Sequence, residues 1–213
     1  MGKLHEAVIR NDAESLIRLL TVDKDVDAVD TNHNTALMLA VMRGAQECAD
    51  TLLAAGASTT ITDPIGRTAM HLATVSGQVH AIELLIRYKA PLDRRDVFGW
   101  SPLVLAVRQG SLEVSESLLA GGAAVDNADN GGWTALFHAI SGGHQTVTHR
   151  LIAAGANPLH RTKTGWTAYH LLCACGRRDL VETLGWHGDY EGLLNNDGRS
   201  PGFYERSQHR LRF

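Results

Sequence analysis

The sequence predicts an all-α repeat solenoid, a stack of helix-turn-helix units joined by β-hairpin-like turns. Three observations predict it. Asp30, Asp63, Asp96 and Asp129 stand 33 residues apart, and Thr162 and Asn195 continue the register. A glycine recurs three residues later at Gly66, Gly99, Gly132, Gly165 and Gly198, and a hydroxyl two residues after that, at Thr35, Thr68, Ser101, Thr134, Thr167 and Ser200. Paired apolar residues then repeat at Leu52–Leu53, Leu85–Ile86, Leu118–Leu119 and Leu151–Ile152. A fixed period of this length marks units that bury their apolar faces only on one another.

Each element follows from the residue types at its place. The glycine suits a tight turn with positive φ. The hydroxyl reads as a helix N-cap that satisfies an orphan amide. Pro102 and Pro201 follow their serines directly, at the first helical position, where a missing N–H is harmless. Ala40, Ala73, Ala106 and Ala139 lie on the first helix of each unit, small enough for close approach, and Gly44, Gly77, Gly110, Gly143 and Gly176 end it. The paired apolar residues mark a second helix, closed by Gly56, Gly122 and Gly155. Neither helix is long enough to be stable alone in water, so stacking supplies the missing burial.

In chain order, residues 1–29 form an N-terminal capping half-unit without its hairpin. Leu4, His5 and Ala7 fall on its first helix and Leu19–Leu20 on its second, and Arg10, Asn11, Asp12 and Glu14 give it a polar surface. Full units follow at 30–62, 63–95, 96–128 and 129–161. The unit at 162–196 is degenerate, its second helix reduced to Leu184–Gly185–Trp186–His187–Gly188. Residues 197–213 open one further unit and are expected to close the array with a single helix near Phe203–Leu211. The whole of 1–213 reads as a single domain.

Composition narrows the function. The apolar share of 44% and charged share of 20% are ordinary for a globular protein, and a formal charge of −3 gives no reason to expect nucleic acid as partner. Cys48, Cys173 and Cys175 are too few and scattered for a disulfide framework, which points to a reducing compartment, the cytoplasm or also the nucleus. No apolar run approaches the roughly 18–20 residues that span a bilayer, so membrane insertion is not expected. Catalytic motifs are missing: no phosphate-cradling glycine loop followed by Lys-Ser/Thr, no His-Glu-x-x-His and no Gly-x-Ser-x-Gly. His170, Cys173 and Cys175 fall short of a closed zinc site, because residues two apart on a helix point to different faces. No metal and no cofactor is expected.

Gly99–Trp100–Ser101–Pro102–Leu103, Gly66–Arg67–Thr68–Ala69–Met70–His71–Leu72–Ala73 and Leu53–Ala54–Ala55–Gly56–Ala57 together resemble the ankyrin repeat. The likeness runs from about Leu4 to Asn196 without a register slip. Ala36, Ala69, Ala135 and Ala168 stand where that family usually has Pro. His33 replaces the turn glycine, so the first full turn is expected to be irregular, and Lys89 replaces the glycine after its unit's second helix. The resemblance implies an ankyrin-repeat stack and a non-catalytic scaffold. It also implies that His71 and His170 hydrogen-bond locally to steady the turn, and that partners meet the hairpin tips and the exposed side of the first helices.

Two features distinguish the copies on that face. Trp100, Trp133 and Trp166 occupy one position of successive units, flanked at one tip by Val97 and Phe98. Trp is a frequent binding hot spot, yet in this family the same ring packs along its own hairpin, and both readings stand at this stage. The second feature is charge. The face positions include Arg67, Arg95, Arg108, Arg161 and Lys163 and no acid, on a chain of net negative charge. Such a face attracts an acidic segment. The expected function is thus a monomeric protein-interaction scaffold. Its alternatives are a targeting or recruitment domain of a larger enzyme (palmitoyltransferase, ubiquitin ligase or kinase) and an RNA-binding array.

Overall fold

The computed structural model describes residues 2–22, 25–177, 180–181 and 192–204. Its helices are short and come in pairs. In chain order they are α1 (Lys3–Ile9), α2 (Ala13–Val22), α3 (Ala36–Arg43), α4 (Gln46–Ala54), α5 (Ala69–Val75), α6 (Val79–Arg87), α7 (Pro102–Arg108), α8 (Leu112–Ala120), α9 (Ala135–Ser141), α10 (Gln145–Ala153) and α11 (Ala168–Ala174). The turns between units contribute a lone bridge, Val29 to Thr35, and no strand among the described residues. None of the described helices is long and apolar enough to cross a membrane.

The chain divides into two compact units, Met1–Ala123 and Ala124–Phe213. In the first, the first helices α1, α3, α5 and α7 pack in one row and the second helices α2, α4, α6 and α8 in another. Ala40, Ala73 and Ala106 are fully buried in the first row, where a larger side chain would push neighbouring backbones apart. Leu52, Ile82, Leu85 and Leu118 fill the space beneath the second. In the second unit α9 packs on α10 and α11 around Leu136, Phe137, Ile140 and Leu151.

The turn chemistry holds where it was expected and in one place where it was not. Gly44, Gly77, Gly110, Gly143 and Gly176 all take φ near +70° at the ends of first helices. Asn11, at the matching place after α1, has φ 52. The turn at His33 is regular, contrary to expectation. His33 adopts φ 59, and Asp30 closes the turn by accepting the Asn32 and Asn34 amides at 2.8 and 2.9 Å. Lys89 likewise takes φ 56. A left-handed non-glycine residue costs roughly 1–2 kcal/mol, which the hydrogen bonds of the turn outweigh.

The buried residue of α2 is Leu16, while Leu19 and Leu20 are only half-buried. The cap is less polar than its charged residues suggest, since Ile17 and Val22 are exposed. Thr134 caps nothing: its buried hydroxyl has no hydrogen-bond partner, whereas Thr35 and Ser101 accept the Met38 and Val104 amides. The glycine-rich stretch at 184–188 and most of the closing helix lie outside the described residues, which include a helical turn at 201–204.

Candidate functional site: the hairpin tips and first-helix ends

Each tip is organised by an acid or its substitute at the start of the unit. Asp63 accepts the Ile65 and Arg67 amides through one oxygen at 3.0 and 2.8 Å. Asp96 accepts the Phe98 and Trp100 amides, both at 2.9 Å. Asp129 accepts those of Gly131 and Trp133 at 2.8 and 2.9 Å. Thr162 and Asn195 do the same work with a hydroxyl and a side-chain amide. These carboxylates therefore point into their own turns. Burial alone would raise the Asp129 pKa, but the Trp133 and Gly131 amides and His138, 3.0 Å away, hold it below the ordinary carboxylate value.

In Met1–Ala123 the structure brings five predicted residues around one tip and its helix. Val97 and Phe98 are 56% and 52% exposed. Trp100 is half-buried, with the Phe98 ring 5.0 Å away and the Arg108 guanidinium carbon 4.1 Å above its centroid. Arg95 and Arg108 are exposed. Arg67 stands at the preceding tip, where its Nε donates to the second Asp63 oxygen at 2.7 Å.

In Ala124–Phe213 both indoles are half-buried among their own neighbours. Trp133 lies 5.8 Å from Phe137 and 5.3 Å from His138. Trp166 lies 4.7 Å from Tyr204 and 6.0 Å from His170. Arg161 is exposed and donates to the Leu194 carbonyl at 2.8 Å. Lys163 is exposed, and its backbone is tied on both sides, to the Gly131 carbonyl and the Asn196 side chain.

The histidines are committed to structure. His71 Nδ1 accepts the Thr68 amide and lies 2.9 Å from its hydroxyl, while Nε2 donates to the Trp100 carbonyl. His170 repeats this with Thr167 and the Arg199 carbonyl. Burial lowers both pKa values, only partly offset by the carbonyl each ring faces. With both nitrogens engaged, neither ring is placed to ligate a metal or move a proton. Sequence reasoning did not single out His5, which makes the same long bond to the Asn34 carbonyl at 2.9 Å. Its signal was available, because His5 precedes His71 by two periods.

Two open grooves also lie in Met1–Ala123. One, of about 490 Å³, runs between α1 and α2 beside Lys3, Glu6, Arg10 and Arg18. The other, of about 260 Å³, lies between α4 and α6 beside Glu47, Asp50, His80 and Glu83. Neither is lined by the predicted Trp or hairpin-tip residues, though the first includes Arg10 and Asp12 of the N-terminal cap, and the described residues of the chain hold no cluster of three or more His, Cys, Asp or Glu fit for a metal ion.

Comparison with known proteins agrees with this geometry. No curated protein matches the chain in sequence. Among solved structures, the ankyrin repeat domain of Bcl-3, described as a unique member of the IkappaB protein family, superimposes with a TM-score of 0.91 at 28% identity, covering 100% of this chain and 99% of that one. The family model for ankyrin repeats (3 copies) matches at residues 4–96, 50–129, 77–162 and 121–196. The repeat register, the hairpin turns and these matches together place the chain in the ankyrin-repeat family.

Proposed function

We propose that this chain is a non-catalytic adaptor that holds an acidic segment of another protein on its hairpin tips and first-helix ends. Ankyrin repeats typically bind proteins, and the preformed turns require little ordering on binding, which favours affinity. The observation that carries the reading is the orientation of the hairpin acids. Asp63 and Asp96 are buried, each with one oxygen accepting two turn amides, and Arg95 and Arg108 are exposed. This favours a hairpin-and-first-helix face more basic than the net-negative chain as a whole. In the first unit the proposed contact residues are Arg95, Val97, Phe98, Trp100 and Arg108, together with Arg67, which is paired with Asp63. In the second they are Trp133, Arg161, Lys163 and Trp166.

The test is a charge-neutralisation series. Arg95→Gln and Arg108→Gln in one variant, and Arg161→Gln and Lys163→Gln in another, are compared with wild type for capture of partners from native lysate at low and high salt. Loss of salt-sensitive partners from folded variants supports the reading. Unchanged capture and unchanged salt dependence in both variants defeats it. The chain is proposed to act as a monomer in the cytoplasm, which sedimentation and cell fractionation check directly.

A further inference from the structure

Two adjoining tips in Met1–Ala123 are tied together, because the Val97 amide donates to the Ile65 carbonyl at 3.0 Å. Each tip is also closed internally by its aspartate. This is rigid backbone, and it carries three exposed apolar side chains, Ile65, Val97 and Phe98. Apolar side chains fixed at a turn bury little within their own chain. Apolar surface rimmed by charge is the composition of an interface. Behind Phe98 stands the Trp100 indole, and over the indole lies the Arg108 guanidinium. A guanidinium resting on a ring is partly ordered before any ligand arrives, and its planar fork matches a carboxylate.

Resting on the acidic-segment reading, we propose that these two tips recognise an extended peptide in which a large apolar side chain sits close to a glutamate or aspartate. The apolar side chain packs on Ile65, Val97 and Phe98. The carboxylate meets Arg108 above Trp100. Phe98 and Arg108 each lie within about 5 Å of the same ring, so the two features of the ligand fall within about three residues of extended chain. One oxygen of each nearby acid, Asp63 and Asp96, already accepts two turn amides, and Arg67 takes the other Asp63 oxygen.

The probe is a displayed library of random peptides, about twelve residues long, panned on the wild-type chain and on Phe98→Ser. The enriched consensus is then made as a labelled peptide and titrated against wild type, Phe98→Ser, Val97→Ser and Arg108→Lys, each checked by thermal melting. The proposal expects a large apolar residue within about three positions of an acid, lost from the Phe98→Ser selection. It expects each of Phe98→Ser and Arg108→Lys to weaken binding about tenfold, as for a moderate interface contact. Replacing the peptide's apolar residue should cost little more once Phe98 is gone, the mark of two groups in contact. Val97→Ser provides the same reading if Phe98→Ser melts early. Enriched peptides that are acidic with no apolar requirement would overturn this inference and leave the acidic-segment reading standing. Enrichment without acids, or no enrichment at all, would overturn both.

Discussion

The Nε2 of His71 donates to the backbone carbonyl of Trp100, 29 residues on, at 3.2 Å. The bond joins the first helix of one repeat to the hairpin of the next. His5 and Asn34 repeat it in the same unit, and His170 and Arg199 repeat it in Ala124–Phe213. Met38, Val104 and Phe137 occupy the same register in the other repeats, so the latch is present in some copies and replaced by apolar packing in others. At His71 and His170 the donor is Nε2 and the acceptor is Nδ1, which fixes a neutral ring in one tautomer.

That geometry makes stability depend on pH. Burial lowers the His71 and His170 pKa values from 6.5, so the unfolded chain binds protons that the folded chain refuses. Stability is then complete above about pH 6.5 and falls as pH drops from there toward the folded pKa values. Asp30 and Asp129 have lowered pKa values, so their losses begin only in the ordinary carboxylate range. Urea midpoints between pH 7.5 and 5 should decline, and His71→Gln with His170→Gln should flatten the decline. Equal slopes in wild type and double variant would exclude this origin.

Thr74 offers a gain in stability. Its hydroxyl is fully buried in α5 and has no hydrogen-bond partner. Val41 and Val107 hold the same register one period either side. Valine has nearly the same shape and no polar atom to desolvate. Thr74→Val should stabilise the chain by about 1 kcal/mol, seen as a higher melting temperature with unchanged circular dichroism. A lower melting temperature would mean that the hydroxyl is satisfied in solution.

Gly132 and Gly155 separate two costs of adding a Cβ. Both have positive φ, +81 and +89, so alanine at either meets the left-handed penalty of roughly 1–2 kcal/mol. At Gly155 nothing lies within 4 Å, whereas at Gly132 the new carbon would meet the Lys163 amide nitrogen at 2.9 Å. Gly132→Ala should therefore destabilise clearly more than Gly155→Ala. Comparing the two by denaturant unfolding checks this, and equal losses would show that the neighbouring hairpin yields freely.

Asp96 couples the fold to the proposed site. Its buried side chain holds both the Phe98 and Trp100 amides through one oxygen. Asp96→Asn keeps an acceptor oxygen, as Asn195 does at its own turn, and should leave melting and peptide binding nearly unchanged. Asp96→Ala removes the acceptor and should cost about 1–3 kcal/mol, with loss of binding at that tip. Equal behaviour of the two variants would show that charge, rather than turn geometry, is what matters at this position.

The sequence by itself determined the period, the paired helices, the left-handed glycines and the family, because turn and cap chemistry acts over a few residues and repeats its own signal. Even the His71 and His170 pairing with Thr68 and Thr167 was legible, being only three residues long. The tertiary structure decided what depends on side-chain direction and on neighbours brought by stacking. It turned Asp63 and Asp96 inward and paired Arg67 with Asp63. It left the Thr134 hydroxyl unused and buried Leu16 in place of the Leu19–Leu20 pair. It placed Arg108 on Trp100 and left Phe98 exposed beside them. A one-dimensional pattern sets which residues recur at a position. Whether a charge is exposed or consumed there is set by the rotamer and by the adjoining repeat, and those exist only once the chain has packed.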